Sequence, residues 1–281
     1  MPTVAVNGTE LYYERHGSGP SLVLVHGDGR DRRAWMPQVE AFGDEYELVI
    51  YDLNGYGRSG GSDREEQSFE VHAEDLRARI ETLDLDEPTV VGWSMGGRVA
   101  YTLAARDPET VSSLVLLEPA INCWPEPSTA GKALMRVASP VAETVGWPRL
   151  MRFRRWVSDL RGESTPHAGV SVNGTGMTKS EYVADTEKRI DTAAYNEMIE
   201  SIRREMERSG GPAIEYSDID VPTLAIVGAE SSDSFEETVD EIVAAAPNAE
   251  RATIPDAGHA AHIDRTLVFN RLLRGFLDDQ R

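Results

Sequence analysis

The first chemical signal in the chain is a serine in the run Gly92-Trp93-Ser94-Met95-Gly96-Gly97. The apolar stretch Thr89-Val90-Val91 precedes it and Arg98-Val99-Ala100-Tyr101-Thr102-Leu103 follows, so a strand, a tight turn and a helix meet at Ser94. G-x-S-x-G spacing in that context presents a hydroxyl as a nucleophile. Glycine stands two positions before and two after because strand and helix backbones converge there and a β-carbon would collide. A strained serine at a helix N-terminus is expected, where backbone N–H groups favour negative charge.

A serine hydroxyl is a weak nucleophile at neutral pH. It needs an imidazole base, and the base needs a carboxylate to fix its tautomer and stabilise its charge. Of the six histidines, His259 stands in the loop Asp256-Ala257-Gly258-His259 after the last predicted strand and is the expected base. His262, in or near the following helix, is the weaker candidate, and His16, His72 and His167 read as surface or packing residues. His26, opening His26-Gly27, reads as ordering a loop that binds an oxyanion. Acyl transfer requires donors for that oxyanion. The backbone N–H groups of Met95, next after the nucleophile, and of Asp28 are the expected pair, with the Asp28 side chain pointing elsewhere.

The elements that must hold these residues alternate. Thr3 to Val6 and Glu10 to His16 form a hairpin at Asn7-Gly8. Leu22-Val23-Leu24-Val25, Leu48-Val49-Ile50-Tyr51, Thr89 to Val91 and Leu114 to Leu117 read as strands buried on both faces, with helices near Trp35, over Phe69 to Leu83 and to about Arg106. Strand–helix alternation implies right-handed crossovers and a doubly wound, mostly parallel α/β sheet. The rhythm stops after Pro119 and resumes at Pro222. Between them the chain reads as mostly helical, with a Gly/Ser/Thr/Asn-rich break from Gly162 to Gly176 and a helix face at Tyr195, Met198, Ile199, Ile202 and Met206. The expected organisation is therefore a core over residues 1–119 and 214–281 with an inserted helical cap at 120–213. A helix from about Glu237 to Ala246, a strand at Arg251 to Ile254 and a final amphipathic helix through Leu277 close the chain.

Composition narrows the function. With 281 residues and 40% apolar content, the chain can bury a full core. A net charge of −20, from 48 acidic and 28 basic residues, argues against nucleic acid or anionic membrane as partner. No leader and no apolar run of about 18 residues is present, so a cytoplasmic protein is expected. Cys123 is alone, which excludes an internal disulfide. Only Lys132, Lys179 and Lys188 are lysines. Acidic, lysine-poor, arginine-rich composition resembles proteins of salt-accumulating halophiles; a high-GC genome is the alternative explanation.

His26-Gly27-Asp28-Gly29, Asp52-Leu53-Asn54-Gly55-Tyr56-Gly57-Arg58-Ser59, Gly92 to Gly97 and Gly258-His259, in that order, make the chain resemble the α/β-hydrolase fold superfamily over essentially its whole length. The resemblance implies a serine hydrolase with chain order nucleophile, acid, histidine, and a cap that shapes the pocket. It also exposes a departure: the family's usual acid is an aspartate three residues after the glycine that ends the strand Thr223 to Val227, and here that residue is Ser231. Glu118, Asp233 and Glu230 are the available replacements. Glu118 ends the preceding strand, where some family members carry their acid. Parallel strands lie about 4.8 Å apart and Glu is one methylene longer than Asp, so Glu118 is the preferred acid and Asp233 the second choice.

The expected protein is a cofactor-free, metal-free hydrolase of a small-molecule ester, lactone or thioester, acting through an acyl-enzyme on Ser94. A C–C hydrolase or cofactor-free perhydrolase is the alternative chemistry, and a catalytically silent binding protein the alternative class. Trp93 and Trp124 are the expected pocket aromatics. The cap arginines Arg149, Arg152, Arg154, Arg155 and Arg161 read as a solvated helix face, with attraction of an anionic substrate as the other reading.

Overall fold

The computed structural model describes residues 2–59, 67–121, 145–146, 149, 169–207 and 215–281. Strands β1 (Thr3–Val6) and β2 (Thr9–His16) pair antiparallel across Asn7 and Gly8, whose φ values of 45° and 80° meet the demand of a two-residue hairpin turn for left-handed backbone. Then follow β3 (Ser21–Val25), helix α1 (Met36–Phe42), β4 (Glu47–Tyr51), α2 (Phe69–Thr82), β5 (Thr89–Trp93), α3 (Met95–Arg106) and β6 (Ser113–Leu117). The described part of the following segment holds β7 (Ser171–Val172), β8 (Met177–Thr178), α4 (Lys179–Thr186) and α5 (Thr192–Glu207). The chain closes with β9 (Thr223–Gly228), α6 (Asp233–Ala245), β10 (Ala249–Ile254), a short α7 (Ala261–Asp264) and α8 (Thr266–Asp279).

The eight-stranded sheet has the order β1-β2-β4-β3-β5-β6-β9-β10, parallel from β4 to β10 with an antiparallel edge at β1 and β2. It is the doubly wound α/β architecture expected from the alternating pattern. Because successive side chains of a strand face opposite ways, Val23 and Val25 pack with α2, α3 and α6, whereas Leu22 and Leu24 pack with α1 and α8. Each fully buried aliphatic side chain contributes about 1.5–3 kcal/mol to that two-sided core.

Some elements differ from expectation for local reasons. Helix α6 begins at Asp233 rather than near Glu237: Ser232 before it is extended, and Asp233 and Glu236 lie in the first turn, where negative charge is favoured. The Gly/Asn-rich end of the break in the inserted segment is a two-stranded hairpin, Ser171↔Thr178 and Val172↔Met177, rather than irregular chain. Thr178 then starts α4 with a reciprocal capping box to Glu181. The α5 face is the expected one: Tyr195 and Met198 are buried, and Ile199 and Ile202 pack against the core.

The inserted segment is tied to loops at the carboxyl ends of the strands. Asp191 N–H donates to Gly55 O (2.8 Å), Tyr182 Oη to Asp31 O (3.0 Å), and Arg33 pairs with Asp185 (2.8 Å). Lys179 Nζ meets the buried carboxylate of Asp264 at 2.5 Å. Trp124 and the arginines at 152, 154, 155 and 161 lie outside the described residues, as does the expected cap's end at residue 213. No helix among the described residues is long and apolar enough to cross a membrane.

Candidate active site

Ser94 sits between β5 and α3 with φ 56° and ψ −117°, a conformation that L-residues adopt at a cost of about 1–3 kcal/mol and that recurs at functional sites. Its glycine neighbours are sterically required. A Cβ on Gly92 would lie 2.4 Å from Gly96 O, and one on Gly96 would lie 2.3 Å from Val25 O. Ser94 N–H donates to Leu117 O (3.0 Å), and Ser94 O accepts from Ala120 N–H (2.9 Å), so the turn is fastened to the end of β6 on both sides.

His259 lies in the loop before α7. Its Nε2 is 2.9 Å from Ser94 Oγ and its Nδ1 is 2.5 Å from Glu118 Oε2. Phe235, from the first turn of α6, stacks on the imidazole at 4.4 Å and 26°. Trp93 Nε1 donates to His259 O at 2.7 Å. Ring and backbone of this histidine are thus held by separate elements.

Glu118 follows β6 directly, is fully buried, and has φ 46°. Its N–H extends the β6–β9 ladder to Ile226 O (2.9 Å), and the left-handed backbone turns the chain there. A buried carboxylate is tolerable only with donors. Oε1 accepts from Gly228 N–H (2.7 Å) and from the Ser231 hydroxyl; Oε2 faces His259 Nδ1. The structure therefore brings Ser94, His259 and Glu118 together. Asp233 and Glu230, the other candidate acids, are both exposed, and His259 Nδ1 is turned to Glu118 instead.

The loop after β3 lies against the serine, since a Cβ on Gly27 would stand 3.1 Å from Ser94 Cβ. His26 sets this loop. Leu53 N–H donates to His26 Nε2 (3.0 Å), which assigns the ring proton to Nδ1, and Nδ1 donates to Gly27 O (2.8 Å). Burial lowers the His26 pKa and keeps the ring neutral in that tautomer. Met95 is the first residue of α3, so its N–H belongs to the group that has no acceptor within a helix.

One expectation needs correction. Trp93 does not line an open pocket: it ends β5 with 4% exposure and packs on His262 (4.6 Å) in the apolar layer beneath α8. Strand alternation sends its ring to the sheet face while the turn lifts Ser94 away. The Asp28 side chain is held by two tyrosines. Its Oδ1 accepts from Tyr56 Oη (2.8 Å) and its Oδ2 from Tyr195 Oη (3.0 Å) on α5. Sequence reasoning missed the tyrosines, Phe235 and the support that Ser231 supplies. Only Tyr195, on the amphipathic face of α5, carried a periodic signal.

A doubly wound sheet with a strained serine at the β5–α3 turn, a loop histidine and a strand-end carboxylate defines the hydrolases of this architecture. The family model for the alpha/beta hydrolase fold matches residues 20–266, and the chain belongs to that family. Over 95% of its length it is 26% identical to the putative carbamate hydrolase RutD of Serratia proteamaculans, covering 96% of that protein. A shorter match, 40% identity over 111 residues, covers 38% of this chain and 40% of the pimeloyl-[acyl-carrier protein] methyl ester esterase of Vibrio campbellii. Among solved structures, the enol-lactonase of Burkholderia xenovorans LB400 superposes with a TM-score of 0.70 at 23% identity, over 99% of this chain and 100% of that one.

Proposed function

We propose that this hydrolase cleaves a carboxylic ester, lactone or thioester of a small molecule through an acyl-enzyme on Ser94. The observation that carries the reading is the continuous line Ser94 Oγ···His259 Nε2 (2.9 Å) and His259 Nδ1···Glu118 Oε2 (2.5 Å). As Ser94 Oγ attacks the carbonyl carbon, His259 Nε2 takes its proton and Glu118 stabilises the imidazolium through Nδ1–H. The oxyanion is met by the N–H groups of Met95 and Asp28. The tetrahedral species collapses, the C–O or C–S bond to the leaving group breaks, and His259 returns the proton to it. Water, deprotonated by His259, then releases the acid and regenerates Ser94.

A carbamate is the second reading, favoured by full-length similarity to a putative carbamate hydrolase; the carbonyl chemistry is the same. A panel of esters, lactones and carbamates of graded size, run with Ser94→Ala as control, tests both. Turnover abolished by Ser94→Ala, with Ser94 labelled by a fluorophosphonate, is expected. Turnover that survives Ser94→Ala rejects the acyl-enzyme.

A further inference from the structure

Resting on that reading, we propose that Asp28 selects substrates carrying a protonated amine near the scissile carbonyl, by accepting a charged hydrogen bond from it. The residue sits in the loop packed on Ser94, and its carboxylate touches the Tyr56 hydroxyl, which itself lies 3.8 Å from the sulfur of Met95. The carboxylate is thus one hydroxyl away from the residue that follows the nucleophile.

Its partners are neutral. Tyr56 and Tyr195 each donate to one oxygen, and both phenols stay protonated, because burial first and the Asp28 charge second raise their pKa values. Among the described residues no arginine or lysine pairs with Asp28. Arg30, two residues away, spends Nη1 on Gly29 O (2.7 Å) and Thr186 Oγ1 (3.2 Å). A carboxylate offers about four lone-pair sites, so each oxygen retains capacity after one phenol has donated to it. Asp28 is exposed while both tyrosines that hold it are buried.

A carboxylate charge carried by the loop that packs on Ser94 opposes formation of an oxyanion there by simple Coulomb repulsion. A substrate ammonium removes that penalty and gains a charge-assisted hydrogen bond. The net charge of −20 draws cations toward the protein as well. If Asp28 served only to hold its loop, the Tyr56 and Tyr195 bonds would be its whole role.

The test uses two isosteric ester pairs: 2-(dimethylammonio)ethyl butanoate against 3-methylbutyl butanoate, and methyl 4-(dimethylammonio)butanoate against methyl 5-methylhexanoate. The readout is the cationic-to-neutral ratio of kcat/KM at pH 7 in wild type, Asp28→Asn and Tyr195→Phe, with folding checked by circular dichroism. Each pair is also read as competitors of fluorophosphonate labelling of Ser94, so the ratio is obtained where turnover is slow. The ratio is expected to fall about tenfold to a hundredfold in Asp28→Asn for at least one pair. Tyr195→Phe, which keeps the charge, is expected to retain the preference. Equal ratios in wild type and Asp28→Asn overturn the inference, as does a loss in Tyr195→Phe matching that in Asp28→Asn; in either case the hydrolase reading stands. Absence of Ser94 labelling altogether overturns both.

Discussion

Ser231 donates its hydroxyl to Oε1 of Glu118. The residue that stands where the family usually has its acid thus supports a carboxylate supplied from the neighbouring strand. Gly228 N–H, at the end of β9, holds the same oxygen at 2.7 Å. The end of β9 thus holds the carboxylate without supplying it.

Glu118→Gln is expected to lower kcat by up to about 10⁴, because an amide cannot stabilise the imidazolium and leaves the ring in the wrong tautomer. Asp233→Asn, an exposed change at the start of α6, is expected to stay within about twofold of wild type. Ester hydrolysis by the two purified variants measures this. The opposite ranking would move the acid to Asp233.

Exchanging the two positions tests whether the acid can return to β9. Glu118→Ala alone removes the orienting carboxylate; Ser231→Asp added to it should recover activity by on the order of tenfold or more, since an acid again lies beside His259. Ser231→Asp alone should reduce activity, because a second carboxylate next to buried Glu118 raises the cost of ionising both. Steady-state kinetics on the single and double variants separates these outcomes.

Lys179→Ala is expected to destabilise the protein by about 3–5 kcal/mol, as it strands a buried carboxylate. Asp264 also accepts Gly258 N–H at 3.2 Å, immediately before His259, so kcat should fall along with Tm. Thermal melts together with kinetics check this; an unchanged Tm would mean that solvent replaces the ammonium at no cost.

His262 is fully buried between Trp35 and Trp93, at ring distances of 4.5 and 4.6 Å, and neither ring nitrogen has a hydrogen-bond partner among the described residues. Burial first, then the nearby Lys179 and His259, hold its pKa well below the ordinary value. The unfolded chain therefore binds a proton that the folded chain refuses. Stability from this group is complete above pH of about 6.5 and is lost as pH falls below it. In His262→Leu the fall in Tm between pH 7 and pH 5 should be shallower than in wild type. Parallel profiles would assign the acid sensitivity elsewhere.

The fold was legible where physics is local. Buried runs such as Leu22 to Val25 and Leu114 to Leu117 announce parallel strands, and Asn7-Gly8 announces its turn, because period and turn chemistry are written in adjacent residues. The start of α6 is not legible in the apolar period, because the helix begins at Asp233, ahead of its first buried residue, Thr238. The burial of the Trp93 ring is not legible in the sequence, because proximity to Ser94 along the chain says nothing about which sheet face a side chain takes. Tyr195 could be read as a buried helix residue, but its hydroxyl partner, Asp28, lies 167 residues away in the chain.

By itself, the sequence determined the doubly wound sheet, the Ser94 turn with the glycines it requires, and a short list of candidate bases and acids, since each of these rests on short-range sterics or residue chemistry. Only the tertiary structure shows which of the candidate carboxylates lies against His259. Glu118, Glu230 and Asp233 are chemically equivalent on paper, and what distinguishes Glu118 is the register of β6 between β5 and β9. That register sets its buried carboxylate against Gly228, Ser231 and His259, partners 110 to 141 residues away that no local pattern connects.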